Sequence, residues 1–437
     1  MCGITGFCDF TKKSTSKELS SMMQAIEHRG PDAKGQLIHE EEQVTVGLGH
    51  RRLSILDLSS EGVQPMVFKN LEIIYNGEVY NFQEIKVELK AKGYAFHSQS
   101  DTEVLLKAYH AWGLKALEKF RGMFAMTIFD KDKGELILIR DRAGVKPLYW
   151  YFKDGLFLFA SELKSFHEHP NFQKVINRDV LAQYLQHGYV LQPYSIFEST
   201  RQLEAGYTLH LNLKTQIIEK NQYWSVSDFY EKPKLILNDD EVINQTEAIL
   251  KESFAYRMVS DVPVGTFLSG GYDSSLVTAL LQSDRDEKIN TFTIGFKEKG
   301  YDEAPHAKAV AKHLGTNHTE YYCTQKDALE VIPKLAEIYD EPFGDASAIP
   351  TVLVSQLARE KVTVSLSADG GDEIFAGYSA YDKLTKIKAT NSKIPRILRR
   401  TGAGVLNMVN PRYIPFTNDL YNFEIRYQKL KKMLVAK

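Results

Sequence analysis

The residue with the widest chemical reach in this 437-residue chain is Cys2, which opens the run Met1-Cys2-Gly3-Ile4-Thr5-Gly6-Phe7. Aminopeptidases remove an initiator methionine readily when the next side chain is small, so the mature chain is expected to start at Cys2. A thiol and an α-amine then share one residue. An α-amine has an ordinary pKa of about 7.7–8.0 and can act as a built-in base near neutrality. The N-terminal threonine nucleophile, served by its own amine, is the oxygen version of this arrangement. A cysteine near a terminus is usually incidental, and the weight of this one depends on the motifs farther along the chain.

A second candidate lies far downstream. Val264-Gly265-Thr266-Phe267-Leu268 reads as an apolar strand that runs into Ser269-Gly270-Gly271-Tyr272-Asp273-Ser274-Ser275 and then into a helix. Backbone N–H groups at a helix start, with serine hydroxyls beside them, make an anion site, and glycines let a phosphate come close. No lysine comes after it, so this is not the GxxxxGK[ST] loop. The bland alternative is a helix capped by Asp273 or Ser274. A second strand, Val362 to Ser367, ends in Ala368-Asp369-Gly370-Gly371-Asp372-Glu373. Ligands of open α/β sheets sit at the carboxyl ends of strands. Carboxylates beside a polyphosphate need a cation between them, which makes Asp273 and Asp372 candidate Mg²⁺ ligands.

The elements that must position these groups change character along the chain. Residues 1–215 carry short β-type runs, such as Leu71 to Tyr75, Met123 to Phe129 and Glu135 to Ile139. Helical patterns are expected near 17–27, 82–92 and 101–112. Layered α+β is the expectation for this part. A polar linker comes next, over 216–239. From 240 to 437 strands near 262–268, 290–296 and 362–367 alternate with helices near 240–258, 274–282, 303–314, 327–338 and 349–360, the rhythm of a parallel, doubly wound sheet. The tail after 383 is basic and shows no chemical motif.

Bulk composition narrows the class. Hydrophobic residues at 43% and charged ones at 25% are ordinary for a soluble globular protein. A net charge of -2 gives no electrostatic reason to expect nucleic acid or an anionic membrane as partner. No apolar run reaches the roughly 18 residues a spanning helix needs. Three cysteines, Cys2, Cys8 and Cys323, without metal-type spacing, suit a reducing cytoplasm.

Taken together, the motifs resemble those of the glutamine-dependent asparagine synthetases, from Cys2 to about Tyr378. They include His28-Arg29-Gly30-Pro31-Asp32, Arg52-Leu53-Ser54-Ile55-Leu56-Asp57, Tyr75-Asn76-Gly77-Glu78-Val79-Tyr80-Asn81, Ser100-Asp101-Thr102-Glu103, Arg140 to Tyr149, Ala160 to Lys164, both phosphate-type segments and Glu341 to Pro350. The resemblance implies an N-terminal nucleophile domain, an αββα sandwich, followed by an α/β ATP-pyrophosphatase-like domain. It implies that Cys2 attacks the side-chain amide of glutamine, with Asn76 and the Gly77 N–H as oxyanion hole. Arg52 would grip the α-carboxylate within the segment Arg52 to Leu56, and Glu78 and Asp101 would hold the α-amino end. An Asn-Gly pair outside this family would read as a hairpin turn. Leu268, Ser269, Gly270, Gly271, Asp273, Ser274, Ser275, Ile294, Ser367 and Ala368 match ATP-contacting positions. Asp369 matches an acid tied to formation of the acyl-adenylate. ATP, Mg²⁺, aspartate and a homodimer are implied with them.

Two departures stand out. Tyr272 replaces the usual leucine of the phosphate loop. The family's Glu-Val-Arg-x-Pro-Phe-Leu-Asp segment and its catalytic lysine are not in the sequence, so the synthetase half is expected to be short at its C-terminus. Two other readings remain at this level: a relative that amidates another carboxylate, such as a sugar acid of surface polysaccharide, and a glutaminase-only remnant.

Overall fold

The structure, a computed structural model, describes residues 1–296, 302–409 and 423–435. Part of the basic tail, 410–422 and 436–437, therefore lies outside the described residues. The chain divides into two compact units, Met1–Ser367 and Ala368–Lys437.

The first unit begins with β1 (Gly3–Asp9), β2 (Ala33–Glu40), β3 (Thr45–Arg52), β4 (Met66–Phe68), β5 (Leu71–Val79), β6 (Gly122–Asp130), β7 (Glu135–Arg140), β8 (Tyr149–Lys153), β9 (Leu156–Ala160), β10 (Thr200–Gln202), β11 (Tyr207–Asn212) and β12 (Ile218–Gln222). These strands form two six-stranded antiparallel sheets, ordered β10-β8-β9-β1-β3-β2 and β12-β11-β7-β6-β5-β4. Ile4, Val46, Leu48 and Phe157 of the first sheet interdigitate with Ile74, Ala125, Phe129 and Leu138 of the second. The outer face of the second sheet is covered by α2 (Phe82–Ala91) and α3 (Asp101–Trp112), through Ile85, Leu89, Leu105 and Tyr109. The first sheet is covered by α1 (Ser16–Ala25) and the turn Lys164–His167, through Leu19, Met22, Met23 and Phe166. This is a four-layer αββα sandwich, as the resemblance implied.

Local sequence explains the element ends. Thr15 and Glu18 form a reciprocal capping box that starts α1. Ser100 caps α3 through the Thr102 N–H at 3.1 Å, and Gly113, at φ +58°, ends it. Gly134 supplies the positive φ that closes the β6–β7 hairpin.

Next come β13 (Val264–Phe267), β14 (Asn290–Phe296), β15 (Asn317–Cys323) and β16 (Val364–Leu366). They pair in parallel in the order β15-β14-β13-β16. Helix Ala304–Leu314 packs Ala307 and Ala311 on Leu268, and helix Ala348–Arg359 packs Ala358 near Phe292. The α/β half is thus a parallel sheet with helices. The second unit is helical: Gly371–Phe375, Ser379–Lys393, Arg396–Met408 and Phe423–Val435. Its last two helices are tied by Tyr427 Oη donating to Leu406 O at 2.9 Å.

The structure departs from the sequence expectations in three places. The linker expected over 216–239 begins with a strand, β12, which extends the second sheet. Apart from Ile218 its side chains are exposed, so an edge strand reads as a polar linker. The helix expected over 327–338 is interrupted by a 3-10 turn at Ile332–Lys334, because Pro333 lacks the N–H that a continuous helix needs. Edge strand β15, half polar, carries no apolar run to reveal it. The hairpin turn that an Asn-Gly pair would suggest outside this family is not formed, in keeping with the resemblance. Asn76-Gly77 lies inside β5, opposite Ala125 and Phe124.

The contact between the sheets should dominate the stability of the first domain. We expect Leu138→Ala, at a fully buried position, to cost about 2–5 kcal/mol. Val87→Ala, on the exposed face of α2, should stay within about 0.5 kcal/mol. Urea unfolding followed by circular dichroism measures both.

Candidate active site

Cys2 precedes β1, a buried strand held on both sides by β3 and β9. That pairing brings the thiol beside the end of β3: Leu53 N donates to Cys2 Sγ at 3.4 Å, and Sγ lies 3.5 Å from Leu53 O. The Cys2 carbonyl accepts from Arg29 Nε at 2.9 Å, and Arg29 Nη1 pairs with Glu162 at 2.6 Å. Burial pushes the Cys2 thiol up, although the Leu53 N–H works against it, so a thiolate here needs a base. The α-amine of Met1 is pushed down to about 5, chiefly by burial; the Cys2 charge opposes this, while Arg29 and Lys146 add to it.

Facing the thiol, a cleft is lined by Cys2, Arg52, Leu53, Ile55, Leu56, Gly77, Glu78 and Asp101. Seven of the predicted glutamine-binding residues thus come together around Cys2. Ser54 and Asn76 are not among the cleft-lining residues: the Ser54 N–H is tied to Asp32 Oδ2 at 2.8 Å, and Asn76 is enclosed in β5. Gly77 has no room for a side chain, since a Cβ would sit 2.2 Å from Met123 O. Opposite it, Phe124 directs both its N–H and its C=O to Asp141, at 3.1 and 2.8 Å. The Gly77–Phe124 pair therefore exchanges no hydrogen bonds, and the Gly77 N–H turns away from β6. Asn76 is 1% exposed, and its Nδ2 has no hydrogen-bond partner among the described residues. Such a buried donor costs free energy until an acceptor arrives.

The charged end of the cleft is fixed just as closely. Asp101 Oδ2 accepts from Tyr75 Oη at 2.8 Å and from Val79 N at 3.0 Å, at the first turn of α3. Glu78 Oε2 is buried without a partner among the described residues. Burial pushes both carboxyl groups above the usual carboxylate range; the Asp101 charge raises Glu78 further, whereas hydrogen bonds from Val79 and Tyr75 hold Asp101 back. Arg52 donates to Ser59 O at 2.7 Å, to Leu56 O at 3.3 Å and to Asp57 O. Three carbonyls engage three of five guanidinium donors, which leaves two for a ligand.

The phosphate-type loop hangs at the carboxyl end of β13. Its helix, Tyr272–Ser283, is capped by Gly271 without a side-chain bond, so neither Asp273 nor Ser274 is taken up by capping. Ser269 Oγ and Ser274 Oγ lie 2.9 Å apart, and Gly271 N donates to Ser269 Oγ at 3.2 Å. Gly270, at φ +82°, also has no space for a Cβ, which would approach Ala307 N to 2.6 Å. Ser275 Oγ is buried without a partner among the described residues. Leu268 is bound to β14 through Phe292 O at 2.9 Å; Ile294 lies in β14, and Ser367 directly follows β16. Ala368, Asp369 and Asp372 belong to the second unit, with Asp372 in the short helix Gly371–Phe375. Among the described residues no group of three or more His, Cys, Asp or Glu side chains could hold a metal ion. No described helix is long and apolar enough to cross a membrane.

Sequence reasoning missed Asp261, which comes from the second domain. Its Oδ2 accepts the Asp57 N–H at 2.8 Å, and its own N–H donates to Ile55 O at 3.0 Å. It precedes β13 in an ordinary Ser-Asp-Val-Pro turn, and nothing local marks it.

Residues 1–224 match the glutamine amidotransferase domain family, and residues 245–434 match the asparagine synthase family. A putative glutamine-hydrolysing asparagine synthetase 2 of Methanocaldococcus jannaschii is 41% identical over 422 residues, covering 92% of this chain and 80% of that one. Glutamine-hydrolysing asparagine synthetase 1 of Bacillus subtilis is 35% identical, covering 92% of this chain and 62% of the relative. Among solved structures, a glutamine phosphoribosylpyrophosphate amidotransferase from B. subtilis, complexed with ADP and GMP, aligns over 80% of this chain and 96% of its own, at TM-score 0.41 and 14% identity. Two domain families in succession, and an archaeal relative covered over most of its length, establish that this chain belongs to the glutamine-hydrolysing asparagine synthetase family.

Proposed function

We propose that the protein makes L-asparagine from L-aspartate, with ammonia released from L-glutamine at Cys2 and with ATP consumed in forming a β-aspartyl-AMP intermediate. The observation that carries the first half is the orphaned Asn76 Nδ2, next to a Gly77 N–H that turns out of its ladder. Two donors with no acceptor among the described residues suit a carbonyl oxygen that gains charge during reaction.

In this reading the Cys2 α-amine, bared by loss of Met1, takes the thiol proton. The sulfur attacks the side-chain amide carbon of glutamine, and the oxygen moves into the Asn76 and Gly77 donors. The proton passes to the leaving nitrogen, ammonia departs, and water cleaves the thioester to glutamate. Arg52 binds the α-carboxylate through its two remaining donors, and Glu78 and Asp101 accept the α-ammonium.

For the second half, the support is the Ser269–Ser275 loop: a helix start without a side-chain cap, two glycines and a Ser275 hydroxyl with no partner among the described residues. Leu268, Ile294, Ser367 and Ala368 would frame the nucleotide. Asp273 and Asp372 would hold Mg²⁺, which would screen phosphate charge; the Asp273 carboxylate is left uncommitted by the cap. Asp369 is assigned to adenylate formation. Three thiols without a disulfide among the described residues fit a cytoplasmic setting.

The test is a coupled assay. With glutamine, aspartate, ATP and Mg²⁺ we expect pyrophosphate and asparagine in equal amounts. Pyrophosphate release driven by another carboxylate, and not by aspartate, would move the reading to a relative that amidates a different acid. Cys2→Ala should abolish glutamate release, and a glutamine-analogue electrophile should label Cys2 but not the buried Cys8 or Cys323. Label on either buried thiol, with Cys2 unmodified, would refute the assignment.

Asn76→Ala should lower kcat for glutamine hydrolysis by about 10²–10³-fold, as loss of an oxyanion donor does. Unchanged kcat would return Asn76 to a structural role. The pH dependence follows from the buried acids. Their folded pKa values lie above the ordinary range, so protons return to them as pH falls, and only the ionised forms pair with an ammonium. We expect the glutamine KM to rise as pH falls through about 6, where Asp101 takes up its proton. Asp101→Asn should show a high KM throughout, read from initial rates of glutamate release.

A further inference from the structure

The loop that frames the cleft is braced from outside. Asp57 adopts φ +56°, the left-handed region that aspartate enters more readily than most residues because its side chain can bond locally. Its side chain is already committed: Oδ1 accepts from Ser59 Oγ at 2.5 Å and Oδ2 from Gln99 N at 2.8 Å. Its N–H is tied from outside the loop: Asp261 Oδ2 accepts it at 2.8 Å, while Asp261 N closes the clamp on Ile55 O at 3.0 Å.

One planar unit connects this brace to the ligand site. The peptide between Leu56 and Asp57 carries the N–H given to Asp261 on one edge and the Leu56 C=O on the other. That carbonyl accepts from Arg52 Nη2 at 3.3 Å. Turning the plane away from Asp261 turns the carbonyl away from Arg52. The neighbouring acceptors, Asp57 O and Ser59 O, lie on the same loop. Ile55 and Leu56, which wall the cleft, flank the plane.

We propose that Asp261, supplied by the second domain, is a positioning residue of the glutamine site: its carboxylate fixes the Leu56–Asp57 peptide, and through it the Arg52 guanidinium. The assignment rests on reading the cleft around Cys2 as a glutamine site. Glutamine binding then depends on the segment leading into β13, the strand that ends at the phosphate-type loop. Arg52 grips the part of glutamine that does not react, so loosening it weakens binding and leaves the chemistry at Cys2 intact.

Steady-state glutamine hydrolysis by the full chain tests this. Asp261→Ala should raise the glutamine KM roughly tenfold, the scale of one buried hydrogen bond, with kcat within about twofold of wild type. Asp261→Asn, whose amide oxygen can still accept the Asp57 N–H, should recover most of the lost affinity. Asp261→Glu keeps the charge but displaces the acceptor; it should show the same KM-selective loss and serves if the alanine variant does not fold. A KM equal to wild type in the folded alanine or glutamate variant overturns the assignment, as does a fall in kcat with KM unchanged. Absence of glutamine hydrolysis in the wild type would instead overturn the reading of the cleft and take this assignment with it.

Discussion

Everything at the cleft around Cys2 depends on β1 being a central, buried strand. All seven of its residues are buried, and it is paired from Gly3 to Asp9 with β3 and from Thr5 to Asp9 with β9. A residue attached to such a strand cannot wander. Its register with β3 puts Cys2 next to Leu53, and Ile4 packs with Ile74 across the sandwich. Stacked sheets keep a spacing of about 10 Å. The same core that holds the sheets together therefore sets how far the sulfur stands from the donors of β5. Arg29 fixes the remaining freedom by binding the Cys2 carbonyl.

The site is organised around polar groups whose charges the protein itself leaves only partly compensated. The thiol and the two carboxyl groups are raised by burial, and an amine at the start of the chain is lowered by it. Burial disfavours each charged form, so each group waits for a counterpart. On the proposed reading, glutamine would bring an ammonium for the acids, a carboxylate for Arg52 and an oxygen for Asn76. Donors oriented before the ligand arrives need no reorganisation during reaction, the condition under which electrostatic stabilisation is largest.

Much of this could be read from the sequence, because the groups that act lie in short local motifs. Cys2, Arg52, Gly77, Glu78 and Asp101 meet at one cleft as expected, and the phosphate-type loop sits at the end of its strand. Illegible features depend on partners far along the chain. Strands β12 and β15 carry few apolar residues because each lies at a sheet edge. Asp261 binds a loop some 200 positions earlier, a contact that no local pattern encodes.

Strand order also bears on how the molecule emerges from a ribosome. Every strand of the sandwich lies no later than Gln222, so the thiol cleft can assemble while the rest is still being translated. The parallel sheet cannot be completed until Val364–Leu366 arrives to flank β13, about a hundred residues after β13 itself. In that interval the nucleophile is in place and Asp261 has been made, but the strand it leads into is flanked on one side alone. On the proposed reading, a half-made chain would hold Asp261 less firmly behind the Arg52 loop and would bind glutamine more weakly than the finished one.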